Sequence, residues 1–185
     1  MIDVNQLRRG TSFEFGNNLY KVTEYEHNKP GRGKATIRVT VRDLRTGSNV
    51  QLTFNSGERV QDIRLDKRTM QYLFDDGQFY TFMDVETFEQ RPVAHDMFSA
   101  DAKYLVDNME LELLFYENEI LDYELPLTME MEVVQAENAV AGDTATGARK
   151  EIITQTGLKV KTPLFVNTGD RIRVDTRSGE YLTRV

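Results

Sequence analysis

The chain of 185 residues contains no cysteine and only two histidines, and its formal net charge is −7. The lack of cysteine excludes disulfide bonds, thiolate nucleophiles and thiolate metal sites. The sequence shows neither an apolar run of ~18 residues nor a basic-then-apolar leader, so we expect a cytoplasmic protein without a membrane anchor.

The charge is unevenly distributed along the chain. Residues 1–63 carry 10 Lys/Arg against 7 Asp/Glu, residues 64–127 carry 5 against 15, and residues 128–185 carry 8 against 8. The net charges of the three segments are therefore +3, −10 and zero. A basic first segment suits local contact with phosphate, while the acidic middle disfavours indiscriminate binding to nucleic acid. A solvated charged face explains the same cations equally well.

The first segment has the pattern of short β-strands. Apolar residues alternate with polar or basic ones over residues 36–42, which predicts a strand with Arg38 and Arg42 on its outer face. Residues 19–22 have the pattern of a partner strand, so the stretch "HNKPGRGKA" at 27–35 is predicted to be a hairpin loop. A further strand is predicted at 50–54, and turns are predicted at 45–48 and 55–58. Together these elements are typical of a small SH3-like barrel.

The second segment is predicted to be β-rich around one short helix. Two aromatic-rich runs flank Asp75-Asp76-Gly77, which is a strong hairpin signal. Residues 98–107 are predicted to form the helix, with Ser99 as its N-cap. The predicted strands lie at 70–74, 78–83, 111–116 and 120–125, and Pro126 marks a boundary.

The third segment is also predicted to be β-structure, with strands at 129–134, 158–161 and 170–175. The small-residue stretch 142–148 has too few apolar side chains to pack, which predicts a mobile loop. No exact repeat is visible. The second and third segments each suit a five-stranded OB-type barrel, although periodicity alone leaves that open.

Catalytic and metal chemistry find little support in the sequence. His27 and His95 lie in different segments, whereas a zinc site needs several ligands at short spacing. The phosphate-loop pattern fails around Gly33-Lys34, because Asn28 and Ala35 stand where glycine and Ser or Thr are required. The paired carboxylates are expected to be solvated at turns and outer strand faces: Asp75/Asp76, Glu110/Glu112 and Glu117/Glu119. We therefore predict a protein without cofactor or metal that is not an enzyme.

The aromatic residues leave one alternative open. Most of the ten Phe and eight Tyr alternate with polar residues in strands, so core packing explains them first. Tyr25, just before the predicted loop, is an exception that suits stacking on a base. A general RNA- or single-strand-binding OB protein is the alternative from another class. It requires an evenly basic groove, which the acidic middle segment does not favour.

Motifs along the whole chain resemble bacterial translation elongation factor P. They are "KPGRG" at 29–33, "LRTG" at 44–47, "FNSGE" at 54–58, "MQYLFDDGQFYTFMDVETFEQ" at 70–90, "GDTATG" at 142–147 and "VKTPLFVNTGDRIRVDTRSGEYLTRV" at 160–185. The C-terminal block is the most specific of them. An elongation-factor-P-like paralogue is the alternative within the family, and it should lack the short Pro-Gly-Arg-Gly tip.

The resemblance implies an all-β fold of three small barrels in an L-shaped row. An SH3-like (KOW-like) domain would span 1–63, and two OB domains 64–127 and 128–185. It implies a monomeric elongation factor that binds the ribosome between the peptidyl and exit sites and contacts the rRNA of both subunits. The factor would position the acceptor end of the peptidyl-tRNA, prolyl-tRNA in particular, and so relieve stalling at consecutive prolines.

The resemblance assigns the tip position of the first domain to Arg32. In many members this position is a modified lysine, whereas arginine is rhamnosylated in some lineages and unmodified in others. The loop context favours an unmodified Arg32, with an arginine-modifying enzyme as the alternative partner. The other candidates for contact with tRNA or rRNA surround the tip: Lys29, Pro30, Gly31, Gly33, Lys34, Arg38 and Arg42.

The second implied contact is a third-domain loop that faces the small subunit. Its candidate residues are Gly142, Asp143, Thr144, Thr146, Gly147, Arg149 and Lys150. The sequence "ARKEI" at 148–152, with Glu151 and Ile152, departs from the family's "KPA"-like continuation. Thr162 replaces the usual valine before Pro163, which we expect to be a surface-compatible change in a strand.

Overall fold

A computed structural model describes residues 1–29, 31, 33, 35–137 and 147–185. Within these residues the regular structure consists of sixteen β-strands and three short 3-10 helices. The strands form three sheets of six, five and five strands. The all-β prediction is therefore confirmed. None of the helices in these ranges is long and apolar enough to cross a membrane.

The first sheet contains the predicted hairpin. Its strands are β1 (Ile2–Asp3), β2 (Ser12–Phe15), β3 (Asn18–Asn28), β4 (Thr36–Asp43), β5 (Asn49–Asn55) and β6 (Arg59–Asp62), in the order β1-β6-β2-β3-β4-β5. The inward residues of successive strands form one buried cluster: Val4, Leu7, Phe13, Tyr20, Val22, Ile37, Val39, Val41, Phe54 and Val60. Since β3 and β4 pair antiparallel around residues 29–35, the hairpin prediction is confirmed.

The second sheet is formed by β7 (Asp66–Asp75), β8 (Phe79–Asp84), β9 (Gln90–Ala94), β10 (Glu110–Tyr116) and β11 (Glu119–Glu124), in the order β11-β10-β7-β8-β9. The predicted β7–β8 hairpin is confirmed: Asp76 Oδ1 accepts hydrogen bonds from the backbone of Gln78 at 2.8 Å and Phe79 at 2.7 Å. Strand β9 was not predicted. It contains Pro92, which an edge strand tolerates because one side of its backbone needs no partner.

The single helix predicted over 98–107 is wrong. Two 3-10 helices, His95–Phe98 and Ala102–Tyr104, occupy this part of the chain, and Ser99 follows the first helix instead of capping a second. A ten-residue segment is too short for helix propensity to hold it, so packing decides its form. Phe98 stacks on Phe82 at 5.3 Å, whereas Tyr104 packs into the apolar cluster of the third sheet. Two short helices can meet both demands.

The third sheet consists of β12 (Thr128–Ala136), β13 (Arg149–Thr154), β14 (Lys159–Pro163), β15 (Arg171–Asp175) and β16 (Tyr181–Arg184), in the order β14-β13-β12-β15-β16. The strands predicted for this segment match β12, β14 and β15, while β13 and β16 were missed. Its core is mainly aliphatic and includes Met131, Val133, Ile152, Val160, Val166, Ile172 and Val174.

The chain forms two compact units. One contains Met1–Arg68 with Leu113–Tyr123, and the other contains Thr69–Glu112 with Glu124–Val185. In the first unit a second apolar cluster joins Leu19, Leu44 and Ile63 to Leu121. Burial of these side chains holds the end of the β10–β11 hairpin against the first sheet.

Candidate nucleic-acid interface

The candidate tip is supported by the β3–β4 hairpin. The register runs from Tyr20 opposite Asp43 to Asn28 opposite Thr36, with one irregularity between Val22 and Glu24. Ile37, Val39 and Val41 are fully buried while Arg38 is exposed, so the predicted alternation is confirmed. The backbone ladder therefore presents the described tip residues Lys29, Gly31 and Gly33 at the end of a hairpin anchored in the core.

At the tip itself, Lys29, Gly31 and Gly33 are exposed. Gly33 has φ +122°, a conformation that side chains disfavour, and a Cβ built on Gly31 would meet nothing within 4 Å. Three predicted contact residues, Pro30, Arg32 and Lys34, lie outside the described residues.

The β4 side of the loop is fixed by the turn between β5 and β6. Ser56 N donates to the carbonyl of Ala35 at 2.9 Å, and Ser56 Oγ lies 3.1 Å from Asn5 Oδ1. Glu58 Oε1 accepts hydrogen bonds from the Asn55 side chain at 2.6 Å and from its backbone at 3.2 Å. These bonds give the loop a rigid base next to Ala35.

The two arginines of β4 have different surroundings. Arg38 is exposed and lies across from Glu26 on β3 and Thr53 on β5. Arg42 points its Nη1 towards Asp122 Oδ1 at 4.0 Å. Arg38 is therefore available to phosphate, whereas Arg42 is turned towards an acid of its own compact unit.

Tyr25 is held by the first sheet. Its hydroxyl donates to the carbonyl of Asn5 at 3.4 Å, and the Arg8 guanidinium lies 5.2 Å from the ring centroid. The ring also packs against the buried cluster of the first sheet. Packing and the cation–π contact with Arg8 thus account for Tyr25, which we had expected to suit base stacking.

The second predicted contact falls largely outside the described residues: Gly142, Asp143, Thr144 and Thr146 all do so. Gly147 and Arg149 are exposed, and Gly147 has φ +102°. Lys150 differs from them, because it is 6% exposed and lies in β13 opposite Thr162 of β14. Its burial leaves it a poor candidate for direct contact with RNA.

The expectation that Thr162 is a surface-compatible change is wrong. Its side chain is fully buried, and its hydroxyl has no hydrogen-bond partner among the residues that the structure describes. In β14 the exposed Lys159 and Lys161 alternate with the inward Val160 and Thr162, so this alternation indicated the buried face. A buried hydroxyl without a partner destabilises the folded state.

Several of the paired carboxylates have structural partners. Asp75 Oδ1 lies 2.7 Å from His95 Nε2, and Glu119 accepts both arms of the Arg45 guanidinium at 3.1 Å. Backbone hydrogen bonds from Phe79, and then from Gln78, hold the pKa of Asp76 below its usual value. In the described ranges no group of three or more His, Cys, Asp or Glu residues has the arrangement of a metal site.

Sequence reasoning missed the ion pair between Lys21 and Asp122. The two atoms Lys21 Nζ and Asp122 Oδ2 are 2.8 Å apart, and Asp122 is 5% exposed. The sequence carries no local signal for this pair, and only the structure shows that the adjacent residues Leu121 and Asp122 of β11 are both buried. A strand buried on both faces has a second packing partner.

Comparisons with known proteins match the chain to one family along its length. Three family models match in order: "Elongation factor P (EF-P) KOW-like domain" over residues 3–60, "Elongation factor P (EF-P) OB domain" over 65–123 and "Elongation factor P, C-terminal" over 129–184. Elongation factor P of Syntrophomonas wolfei is 45% identical over 185 residues, and that of Moorella thermoacetica is 43% identical over 184. Both alignments cover 100% of each chain.

A solved structure is also similar. It is "Eukaryotic translation initiation factor 5A from Methanococcus jannaschii", with a TM-score of 0.54 and 20% sequence identity. The match covers 66% of this chain and 89% of that chain. At this identity the likeness supports the fold alone.

Proposed function

This chain belongs to the elongation factor P family of translation elongation factors, and from that premise we propose that it binds the ribosome between the peptidyl and exit sites and relieves stalling at consecutive prolines. The observation that carries the proposal is the ordered match of all three family domains between residues 3 and 184. The exposed, basic hairpin tip of the first domain adds a local reason to place RNA there.

In this proposal Arg32 is the residue that meets the acceptor end of the peptidyl-tRNA. An arginine side chain is always charged and presents five N–H donors in a planar fork, which suits phosphate and ribose oxygens. The β3–β4 ladder, paired out to Asn28 and Thr36, supplies a narrow and stiff support for that group. Lys29 and Arg38, both exposed, add phosphate contacts behind it.

The factor acts by positioning and contributes no catalytic group. Proline is a poor nucleophile, and its ring fixes one backbone dihedral, so consecutive prolines leave the reacting groups badly placed. Ordering the acceptor end lowers the entropic part of the barrier, and well-oriented reactants gain up to about 7–11 kcal/mol in favourable cases. Such a role needs neither a cofactor nor a metal.

The remaining parts of the proposal follow the same premise. The loop before β13, with Gly147 at its described end, faces the small subunit together with Arg149, the first residue of β13, and the factor works as a cytoplasmic monomer. The domains are divided near residues 63 and 127. Limited proteolysis with mass spectrometry tests this division, because exposed linkers are cut first.

The decisive experiment is reconstituted translation of a reporter with three consecutive prolines. It compares no factor, the recombinant protein and Arg32→Ala, with a reporter lacking the prolines as the control for general translation. We expect wild type to release the stall and Arg32→Ala to lose most of that effect. Full activity of Arg32→Ala would contradict the assigned role of the tip.

A second arm concerns modification of Arg32. We propose that unmodified arginine suffices, so recombinant protein and protein from the native source should be equally active. Mass spectrometry of the peptide that contains Arg32 then reports any added sugar. Activity restricted to a modified native protein would replace this proposal with one that requires an arginine-modifying enzyme.

A further inference from the structure

Within the described ranges one type of turn occurs three times, at the ends of β4, β8 and β15. Each begins with an aspartate, Asp43, Asp84 or Asp175, whose Oδ1 accepts the backbone N–H of the residue two positions later at 2.9, 2.8 and 2.9 Å. The aspartate N–H donates to the carbonyl five positions later at 2.8, 2.9 and 2.9 Å. That later residue is Ser48, Glu89 or Glu180. Its backbone N–H donates to the side-chain hydroxyl of Thr46, Thr87 or Ser178 at 3.3, 3.4 and 3.3 Å respectively.

The fifth residue of the turn differs in one copy. Its N–H donates to the aspartate carbonyl at 2.8, 2.9 and 2.8 Å in the three copies, and its φ is positive in each. Two copies have glycine there, Gly47 and Gly179, both with φ +72°. The third has Phe88 with φ +61°. For a bulky residue this conformation is strained, whereas glycine adopts it freely.

Phe88 gains little from the fold in return for this strain. Its side chain is 69% exposed, so folding removes only a small part of the ring from water. Glycine would satisfy the same hydrogen bonds at lower cost, as it does in the two sister turns. An exposed aromatic ring on a strained turn therefore has the properties of a contact residue.

The surroundings of the turn are acidic. Glu86 and Glu89 are exposed neighbours of Phe88, and Glu89 also contacts Arg91 at 3.1 Å. Val85 N donates to the carbonyl of Thr69 at 3.3 Å, which joins the turn to the rim of a depression of about 410 Å³. Three glutamates line that depression together with Thr69, Leu111, Leu125 and Pro126: Glu110, Glu112 and Glu124.

We propose that Phe88 and this acidic depression form a docking surface for a basic protein. The ring would insert into an apolar socket of the partner, and lysine or arginine side chains would meet the glutamates. RNA is the less favourable occupant, because its phosphates would face like charge. The inference rests on the proposed function, since the basic protein is sought among the proteins of the ribosome.

The first test measures the strain and the contact together. Phe88→Gly should raise the melting temperature by about 2–4 °C, because it relieves the backbone, and should weaken binding to ribosomes about 10-fold or more. Phe88→Tyr keeps the ring and should bind like wild type. An unchanged affinity of Phe88→Gly, or a lower melting temperature, would overturn the inference. Failure of wild type to bind ribosomes would instead overturn the proposed function.

The second test identifies the partner's class. The chain has no cysteine, so Glu86→Cys, which leaves the Phe88 ring in place, can carry a single benzophenone cross-linker, and Lys29→Cys serves as a second attachment point near the tip. After irradiation with ribosomes, we expect the product from position 86 to be sensitive to proteinase and resistant to ribonuclease. A ribonuclease-sensitive product, or none from position 86 while position 29 cross-links, would overturn the docking surface. Absence of a cross-linked product from both positions would contradict ribosome binding itself.

Discussion

Lys21 Nζ donates to Asp122 Oδ2 at 2.8 Å, across 101 positions of the sequence. Asp122 is 5% exposed, and Arg42 Nη1 lies 4.0 Å from its second oxygen. A buried carboxylate needs such partners, because its desolvation is otherwise uncompensated. The pair sits beside the apolar contact of Leu121 with Leu19 and Leu44, so charge and packing together hold Leu113–Tyr123 in the first compact unit.

Loss of Lys21 should loosen this attachment. We expect Lys21→Met to destabilise the packing of residues 113–123 by about 2 kcal/mol, because it removes the close cation from the buried Asp122 carboxylate and leaves the more distant Arg42. Amide hydrogen exchange of these residues should become roughly 30-fold faster.

The matched control is Arg45→Met in the same unit. Arg45 and Glu119 form a close pair, but their side chains are 44% and 47% exposed. Solvent screens an exposed pair, so its loss should change amide exchange in 113–123 little. Equal effects of the two substitutions on amide exchange would show that burial of Asp122 does not cause the destabilisation.

Thr162→Val should stabilise the third sheet. Valine has nearly the same shape, and it removes a buried hydroxyl for which the described part of the chain offers no hydrogen-bond partner. The expected gain is about 1–3 kcal/mol in the free energy of unfolding, measured by urea denaturation followed by NMR of the third-sheet core.

Thr154→Val, on the same face of the sheet, should have the opposite effect on stability. Thr154 is also buried, but its Oγ1 accepts the backbone N–H of Leu158 at 3.2 Å and contacts the Thr156 hydroxyl at the same distance. Its replacement should therefore destabilise the sheet by about 1 kcal/mol. If both valine variants shifted stability in the same direction, hydrogen bonding could not be the cause.

Substitution of Arg38 should affect ribosome binding, whereas substitution of Arg42 should affect mainly the stability of the fold. Arg38→Ala removes an exposed cation, so we expect weaker ribosome binding and a salt slope shallower by about 1, with unchanged stability. Arg42→Ala removes a cation that faces Asp122, and it should lower stability more than binding. Filter binding across a range of salt concentrations, with thermal melts of both variants, distinguishes the two roles. A shallower salt slope from Arg42→Ala alone would reverse the assignment.

Asp175 should make the third sheet sensitive to acid. Hydrogen bonds from the Arg177 side chain, and then from its backbone N–H, lower the pKa of Asp175 from 3.8 to about 2. Because the folded-state pKa is depressed, its stabilising contribution is complete above about pH 4 and disappears as the pH falls to about 2. Asp175→Asn retains the acceptor oxygen of the turn but cannot titrate.

The test compares urea midpoints of wild type and Asp175→Asn between pH 2 and pH 5. Other carboxylates titrate in both proteins, so the difference between the two curves isolates Asp175. That difference should favour wild type near pH 5 and shrink towards pH 2. Parallel curves would contradict the linkage.

Hydrophobic alternation predicted the part of the fold that bears the candidate tip. Ile37, Val39 and Val41 alternate with polar residues in a regular period of two, and each is fully buried in β4. Strand β9 was missed because Pro92 is a poor strand residue, and only its place at a sheet edge makes it acceptable. Edge position is a property of the whole sheet and cannot be read from a local window.

The burial of the candidate residues was harder to predict than their secondary structure. Lys150 was expected beside RNA and Thr162 at the surface, yet they lie opposite each other on the inner face of β13 and β14. Lysine and threonine are usually exposed, so residue type alone predicted the wrong burial for both positions. The alternation of inward and outward residues along the strands indicated the buried face correctly. The contact of Asp122 with Lys21 depends on long-range packing and has no local pattern.

The ladder of β3 and β4 ends at Asn28 and Thr36, and the core beneath it begins with Ile37. The barrel's ladder and core are therefore completed without the residues of the tip. We therefore expect that lysine, arginine or a chemically extended side chain can be placed at position 32 without refolding the domain. Evolution can thus change the chemistry offered to the ribosome through a few codons, and protein engineers can graft unnatural tips onto the same hairpin.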